Sequence, residues 1–341
     1  MDRRTFLQSS TALALTGALP LPALAADPVT LRVGYIPIIA MTQLFVMEGE
    51  GWTKSAGIDL KLTSFSSGPA MVQALASGSL DLAYVGIGPA LLAKAKGIDL
   101  KVVAANVVDQ VALIGRGKLA EMFPAAPSPR EGFKRFREAA GHPAKLATLP
   151  SGSVPDTVLR YYLQEVAKVD PADVEIVGVG EDQIQQLLLA GAVDGASILE
   201  PILSVVLARE PSAKIIAAAG KMLAGQPGAV VVVTKDALSK YRPAVQKIVE
   251  LHARAVDFVK TSPDQATNDL VNAIGKGLVD PAVMRKALTS DATQLIADPH
   301  SILATTGILQ DFQVKIGSQP SKVELADLFD FSFFDALPAK R

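Results

Sequence analysis

The stretch QALASGSLDLA (residues 73–83) and the stretch QLLLAGAVDGA (residues 186–196) share the pattern Gln-x-Leu-x-x-Gly-x-(Leu/Val)-Asp-x-Ala. A proline follows each copy within a few residues, Pro89 after the first and Pro201 after the second. Two copies that lie roughly a domain's length apart indicate two similar lobes rather than a solenoid of short repeats. A cleft between two such lobes is a preferred place to bind a small molecule.

Around both copies, short β-type runs alternate with helix-forming segments. Predicted strands lie at 31–35, 58–62, 80–85 and 100–105, and again at 145–149, 174–177 and 195–199. This alternation predicts an α/β fold in which each lobe is a mostly parallel sheet flanked by helices. We assign residues 26–114 and 228–341 to lobe 1 and residues 115–227 to lobe 2. The proline-rich stretch 118–143 is predicted to be a surface excursion.

The first 25 residues have the pattern of an export signal. Arg3-Arg4 precedes a weakly apolar run that ends in Ala23-Leu24-Ala25, a small-x-small cleavage pattern. Arg-Arg-x-Phe-Leu resembles the twin-arginine signature, and an ordinary secretory signal with a chance arginine pair is the alternative. The chain has no cysteine, so it has neither a lipid-attachment cysteine nor disulfides. We therefore expect a soluble periplasmic protein without a lipid anchor.

The composition argues against several kinds of partner. The net charge is −1, and removal of the signal's two arginines and one aspartate leaves the mature chain near −2. This balance gives no support for nucleic acid or an anionic membrane as a partner. Hydrophobic residues make up 49% of the chain, enough for two cores, while aromatics at 5% argue against a binder that stacks on sugars or bases. We expect a monomer.

The sequence contains no pattern that predicts catalysis or a cofactor. His142, His252 and His300 lie far apart and lack the spacing of metal ligands. His300 follows Asp298-Pro299 at a predicted helix start, where capping is one interpretation and a functional role the other. There is no Walker A loop or Gly-x-Ser-x-Gly elbow, and Gly86-x-Gly88 lacks the third glycine of a dinucleotide fingerprint. We therefore predict no enzyme activity, no cofactor and no metal.

Polar or glycine-rich helix starts recur where predicted strands end, at 66–68, 86–88, 151–153 and 181–182. The carboxyl ends of strands in open α/β sheets face the ligand crevice. Helix N-termini there offer unpaired N–H groups and a partial positive charge, which can hold a small anion. The alternative is that each serine only caps its own helix.

Glu200 stands before Pro201, at the place where the first repeat has Gly88 before Pro89. Its carboxylate either complements its own helix dipole or faces the cleft and accepts hydrogen bonds from a ligand amine or amide. The complete set of predicted ligand-binding residues is Tyr35, Gln43, Ser66, Ser67, Gly68, Gly88, Ser151, Gly152, Ser153, Asp182 and Glu200.

Several segments carry a family resemblance. Residues 49–60 (GEGWTKSAGIDL), Ser67-Gly68-Pro69, 78–81, 86–89, Gly152-Ser153 and 194–201 resemble substrate-binding proteins of ABC importers of the nitrate, sulfonate and taurine type. In this sequence Trp52 and Thr53 replace the usual aromatic pair, and residues 118–143 form a longer stretch than the family pattern.

The resemblance implies a two-lobed type II periplasmic binding fold that closes about a hinge and docks on an inner-membrane ABC permease. Its members bind nitrate, aliphatic sulfonates, taurine, bicarbonate or thiamine-pyrimidine precursors. We expect a small monoanion of the sulfonate, taurine or nitrate class, with an uncharged or heteroaromatic ligand as the alternative. Pyrimidine-synthesising relatives carry a cysteine-rich motif that this chain lacks. A periplasmic sensor-type binding protein is a further alternative.

Overall fold

The computed structural model describes residues 27–274 and 279–338, so the predicted export signal at 1–25 lies outside the described residues. The strands are β1 Val29–Tyr35, β2 Ile58–Ser64, β3 Leu82–Gly86, β4 Leu100–Ala105, β5 Val107–Val108, β6 Ala112–Gly115, β7 Ala144–Thr148, β8 Val174–Gly178, β9 Gly195–Ile198, β10 Lys214–Ala217, β11 Ala229–Thr234 and β12 Gln294–Leu295.

The helices are α1 Thr42–Gly49, α2 Trp52–Ser55, α3 Gly68–Ala76, α4 Ile87–Ala95, α5 Gly117–Met122, α6 Pro129–Ala140, α7 Val154–Tyr161, α8 Glu181–Leu189, α9 Ile202–Arg209, α10 Ala219–Met222, α11 Lys235–Thr261, α12 Pro263–Ile274, α13 Pro281–Leu288, α14 Leu303–Lys315, α15 Leu325–Leu328 and α16 Ser332–Asp335. A single π-helical turn, Tyr162–Val166, continues α7.

The first sheet has the strand order β2-β1-β3-β11-β4. β1 pairs in parallel with β2 and β3, whereas β11 runs antiparallel to both of its neighbours, β3 and β4. In β11 the four valines at 230–233 are fully buried. A continuous apolar run of this kind is typical of a strand covered on both faces of its sheet.

The second sheet repeats this arrangement with the order β10-β6-β9-β7-β8. β7 pairs in parallel with β8 and β9, while β6 runs antiparallel to β9 and β10. In each sheet, therefore, four strands share one direction and a fifth strand, which enters from the other lobe, runs against them. The predicted α/β class and two-lobed arrangement are confirmed.

The first crossing between the sheets lies earlier in the chain than the sequence predicts. Residues 112–114, which we expected at the end of lobe 1, belong to β6 and pair in the second sheet. The chain leaves the first sheet after β4 and returns to it through β11. The apolar run at 111–114 suits the interior of either sheet, so its composition did not indicate which sheet it joins.

The repeated phrase forms the same scaffold in both lobes. Asp81 Oδ2 accepts the backbone N–H of Arg32 in β1 at 2.8 Å, and Asp194 Oδ2 accepts that of Lys145 in β7 at 2.9 Å. The backbone N–H of each aspartate donates in return to the carbonyl of the same strand residue, at 2.9 Å in both lobes. The repeat therefore fixes β1 to the loop that leads into β3, and β7 to the loop that leads into β9.

The stretch 118–143 is largely helical, and the predicted surface excursion is corrected to two packed helices, α5 and α6. Ser128 caps α6 by accepting the N–H of Glu131 at 3.2 Å. Phe133 and Phe136 are buried, and Arg137 pairs with the buried Asp173 at 3.0 Å. Proline and charge suggested a loop, but Pro129 stands at the start of α6, where a missing N–H has no cost.

The C-terminal helices join the two lobes. α12 packs on α1, α13 packs on α9 of the second lobe, and α14 lies against both α4 and α7. Tyr161 of α7 meets Phe312 of α14 edge to face at 5.3 Å. Within the described residues, no helix combines the length and apolar character that a membrane span requires.

Candidate functional site

A small cavity lies between the two lobes. It has a volume of about 20 Å³, which is room for about one water molecule. It is lined by Ile36, Ile38, Met41, Gly68, Gly86 and Pro89 from lobe 1, by Leu149, Ser153, Val154, Pro155 and Leu199 from lobe 2, and by Gln110 and Ala229 from the crossing segments. The lobes are therefore closed on each other in this structure.

Strand direction explains why these residues meet. β1 ends one residue before Ile36, β7 ends one residue before Leu149 and β9 ends one residue before Leu199. β3 ends at Gly86, which itself lines the cavity. These four strands deliver their carboxyl ends to the cleft, as is usual for ligand crevices of open α/β sheets.

Gly88 and Gly152, two of the predicted site residues, form a close contact between the lobes. A Cβ atom at Gly88 would lie 3.0 Å from the carbonyl oxygen of Gly152. Gly152 has φ +85°, a conformation that glycine adopts without strain, and its carbonyl accepts the side-chain amide of Gln313 at 3.4 Å. The lobes also join where the N–H of Ile39 donates to the carbonyl of Glu200 at 3.3 Å.

The predicted serines occupy different environments. Ser153 lines the cavity and caps α7, accepting the N–H of Asp156 at 3.3 Å, so the capping interpretation holds for it. Asp156 in turn accepts the N–H of Gly152 at 3.3 Å. Ser67 is buried but forms no capping hydrogen bond to α3, whereas Ser66 and Ser151 are exposed.

The helix starts at the cleft offer fewer free N–H groups than the sequence predicts. Asp156 already accepts the N–H of Gly152 just before α7, Ser153 accepts the N–H of Asp156 in its first turn, and Pro155 supplies no N–H. Pro69 in α3 and Pro89 in α4 likewise lack an N–H in the first turn. Because Pro89 and Pro155 also line the cavity, they make its walls apolar where a purely anion-binding site would have donors.

The Glu200 carboxylate binds its own helix. It accepts the N–H of Ser204 at 3.0 Å and the Ser204 hydroxyl at 2.9 Å. Burial raises its pKa, and the hydrogen bonds from Ser204 only partly offset this. Glu200 is buried but does not line the cavity. Of the two interpretations, this geometry matches the helix-capping one.

Tyr35 and Gln43 also lie outside the cavity lining. The Tyr35 ring packs edge to face on Phe45 at 5.5 Å. The Gln43 amide donates to the carbonyls of Asn106 at 2.7 Å and Ile296 at 3.1 Å. Both side chains thus support lobe 1 behind the cleft.

Asp182 and Ser66 line a separate groove of about 480 Å³ at the mouth of the cleft, between 64–66 of lobe 1 and 180–183 of lobe 2. Beside them, Glu181 has a carboxylate oxygen that is buried without a hydrogen-bond partner among the described residues. Burial, with the Asp182 charge as a second cause, raises the pKa of Glu181 to about 8. Burial therefore favours the protonated form of this carboxyl group.

The two crossing segments are hydrogen-bonded to each other and form the hinge. The N–H of Asp109 donates to the carbonyl of Gln226, and the N–H of Gln226 donates to Asp109 Oδ1, each at 3.0 Å. The Gln226 side chain accepts the N–H of Val111 at 2.9 Å. Gln110, between these residues, lines the cavity and is 4% exposed.

Sequence reasoning missed Gln110. A signal was present, because Asp109-Gln110 interrupts the otherwise apolar run from 107 to 114. A buried polar residue in such a run is more informative than another apolar one.

The histidines have structural surroundings. His252 is fully buried, its Nε2 lies 2.8 Å from the carbonyl of Ala105, and burial lowers its pKa to about 4. His300 Nδ1 lies 2.7 Å from Asp298 Oδ1, and its ring stacks on Phe331 at 4.2 Å. Among the described residues, no group of three or more His, Cys, Asp or Glu side chains could hold a metal ion.

The chain is similar to several known binding proteins. A protein of Brucella abortus whose name describes it as a binding protein is 28% identical over 343 residues, covering 98% of this chain and 100% of the relative. A Bacillus subtilis protein named as an aliphatic sulfonates-binding protein is 26% identical over 300 residues, covering 86% of this chain and 84% of that protein.

Among solved structures, the periplasmic nitrate-binding protein NrtA from Synechocystis superposes with a TM-score of 0.74 at 14% identity, covering 91% of this chain and 88% of that one. At this identity the likeness shows the fold alone, and it confirms the two-lobed fold of periplasmic binding proteins. The NMT1-like family model matches residues 24–275, and the chain therefore belongs to the NMT1-like family.

Proposed function

We propose that this protein is the solute-binding component of an ABC importer, which captures a small organic molecule between its lobes and delivers it to a membrane permease. The observation that carries this proposal is the closed interlobe cavity at the carboxyl ends of β1, β3, β7 and β9. A solute that touches both lobes favours the closed state, because it gains contacts there that the open state lacks. The permease would recognise the closed form in the periplasm.

The closed cavity also constrains how a solute enters. Its volume of about 20 Å³ holds about one water, which is smaller than any solute of the sulfonate class. A solute therefore enters while the lobes are apart, and the loaded protein closes with the lobes slightly further apart than in this structure. In this proposal the hinge opens to admit the solute and closes around it.

The lining favours an organic solute over nitrate. Most of the lining side chains are aliphatic or proline, and no charged side chain is among them. An alkyl group would contact Ile36, Ile38 and Leu199, while a single anionic head would face Ser153 and the first turn of α7. Within the expected monoanion class, this arrangement favours an aliphatic sulfonate. Taurine is less favoured, because the Glu200 carboxylate that would accept its amine already binds Ser204.

An uncharged or heteroaromatic solute is the second candidate. The absence of Lys and Arg from the described cavity lining supports it, because an anion held there has only neutral donors. Flat heteroaromatic rings bury apolar faces and keep a polar edge, which suits walls made of Pro89, Pro155 and aliphatic side chains.

A melting-temperature screen of the mature protein tests the proposal. The compounds are methane-, ethane- and butanesulfonate, taurine, nitrate and an aminopyrimidine, because a solute that binds only the native state raises the melting temperature. We expect affinity to rise about fourfold with each added methylene, from about 0.8 kcal/mol per buried CH₂, until the cavity is filled.

The outcomes separate the candidates. Equal affinity along the sulfonate series, or tight binding of nitrate alone, would contradict the organic-solute proposal. Binding of the aminopyrimidine alone would establish the second candidate. Turnover of any bound compound would contradict the proposal that the protein only binds and delivers its solute.

A further inference from the structure

Gln110 combines burial with an amide that has no protein partner. The residue is 4% exposed and lines the interlobe cavity. Within the described part of the chain, its side-chain amide forms no hydrogen bond, and neither amide atom is among the fully buried polar atoms without a partner, so the amide faces accessible space such as the cavity. The cavity has room for about one water molecule, which can hydrogen-bond the amide until a solute displaces it.

The neighbouring hinge residues behave differently. The Gln226 amide donates to the carbonyls of Val111 at 3.3 Å and Ala219 at 3.1 Å, and its oxygen accepts the Val111 N–H. Asp109 accepts the N–H of Gln226 at 3.0 Å. The side chains of Asp109 and Gln226 therefore hold the two crossing segments together, whereas the Gln110 side chain takes no part in that network.

The backbone before Gln110 has a conformation that is uncommon for a residue with a side chain. Asp109 has φ +50°, in the left-handed region, where aspartate is tolerated better than most residues. Conformations of this kind concentrate at functional sites, where the surrounding structure holds them in place. Here the hydrogen bonds between Asp109 and Gln226 hold it, and the next side chain lines the cavity.

We propose that Gln110 hydrogen-bonds the polar end of the solute and is a specificity-determining residue of this site. The inference rests on the proposed binding function and adds the chemical group that is recognised. The amide donates to an acceptor oxygen of a monoanionic head group, while the aliphatic walls hold the apolar body. Because Gln110 lies in the crossing segment, a solute bound to it contacts the hinge as well as both lobes.

Two substitutions at Gln110 and one matched control test this proposal. Gln110→Leu keeps the size but removes the amide, and should weaken butanesulfonate binding about 10- to 100-fold, as expected for a hydrogen bond to a charged group. Gln110→Glu should weaken it further at pH 7, because a carboxylate repels the sulfonate. Gln226→Leu is the control, since its amide is used by the protein. Titration calorimetry measures the affinity for butanesulfonate, and the melting temperature without solute measures the stability of each variant.

The melting temperature without solute distinguishes a recognition role from a structural one. Gln110→Leu should melt at or above the wild-type temperature, while Gln226→Leu should melt several degrees lower. Either of two results would overturn the proposal. One is a melting temperature of Gln110→Leu as low as that of Gln226→Leu, and the other is a butanesulfonate affinity of Gln110→Leu within twofold of the wild-type affinity. If only the aminopyrimidine binds and Gln110→Glu retains it, the recognised group is a donor and the monoanion form is wrong. If no compound binds the wild type, the proposed function for these solutes fails. The melting temperatures of Gln110→Leu and Gln226→Leu then decide whether Gln110 has a structural role.

Discussion

Replacing Gly88 by alanine should weaken solute binding by obstructing the contact between the lobes. The added Cβ would lie 3.0 Å from the Gly152 carbonyl oxygen and 3.0 Å from Gln313 Nε2. The Gln313 amide can move aside, but the Gly152 carbonyl is backbone and can yield only if lobe 2 shifts. The closed lobes must then separate by a few tenths of an ångström.

The size of the effect follows from the cost of overpacking. Forcing an extra carbon into a packed contact costs about 1–3 kcal/mol, which lowers the ratio of closed to open protein about 5- to 150-fold. The open form has no such contact, and alanine in the first turn of α4 stabilises it by at most about 1 kcal/mol relative to glycine. Gly88→Ala should therefore lose solute affinity without a lower melting temperature in the solute-free state.

Calorimetry with the tightest-binding compound measures the affinity, and small-angle X-ray scattering with and without solute measures closure. Gly220→Ala is the matched control, because nothing lies within 4 Å of a Cβ at Gly220 and its φ is ordinary. Wild-type affinity in Gly88→Ala, together with unchanged scattering from the closed form, would refute the role assigned to this contact.

Three further predictions concern carboxylates. Asp81→Ala and Asp194→Ala should each lower stability to urea by about 1–3 kcal/mol, because each substitution removes the acceptor of a backbone N–H, that of Arg32 in β1 or that of Lys145 in β7. Glu181→Gln should flatten the pH profile of stability: the pKa of Glu181 is raised from 4.5 to about 8, so the contribution of this carboxyl is full below pH 4.5 and is lost as the pH rises through 8. Glu200→Ala should lower the melting temperature by leaving Ser204 donors without an acceptor, yet leave solute affinity nearly unchanged in calorimetry.

Each of these predictions has a result that contradicts it. A change in solute affinity larger than the change in stability in either aspartate variant would mean that the repeat is more than scaffold. A wild-type stability that is constant between pH 5 and 9 would show that the Glu181 carboxyl is hydrated. Loss of solute affinity with an unchanged melting temperature in Glu200→Ala would mean that the Glu200 carboxylate contacts the solute.

The features that sequence predicted best are those set by local pattern. The repeat at 73–83 and 186–196 indicated two equivalent lobes because each copy contains a helix end, a turn and a strand start in a fixed order. The cleft followed from strand direction, because parallel strands bring their carboxyl ends to one edge. Gly68 and Ser153, both at helix starts, consequently lie in the cavity lining.

The features that sequence missed depend on contacts between distant segments. Whether Glu200 faces the cleft is decided by Ser204, one helical turn further on, which offers its carboxylate two donors. Gln43 is held by Asn106 and Ile296, and the latter lies 253 residues away. No local pattern predicts that the Gln226 amide is hydrogen-bonded within the protein and the Gln110 amide is not, because both residues stand in short polar interruptions of apolar runs.

The exchange of strands between the lobes has a consequence for how the chain is made. β11, which lies between β3 and β4, is synthesised 124 residues after β4 ends, and at about 5–20 residues per second this delay is roughly 6–25 s. Every strand of the second sheet, from β6 to β10, leaves the ribosome during that interval. The first sheet meanwhile exposes the two strand edges that β11 will cover, and such edges invite pairing with other chains. The N-terminal lobe is thus the last to be completed, and the nascent chain needs protection longest at the end that emerges first.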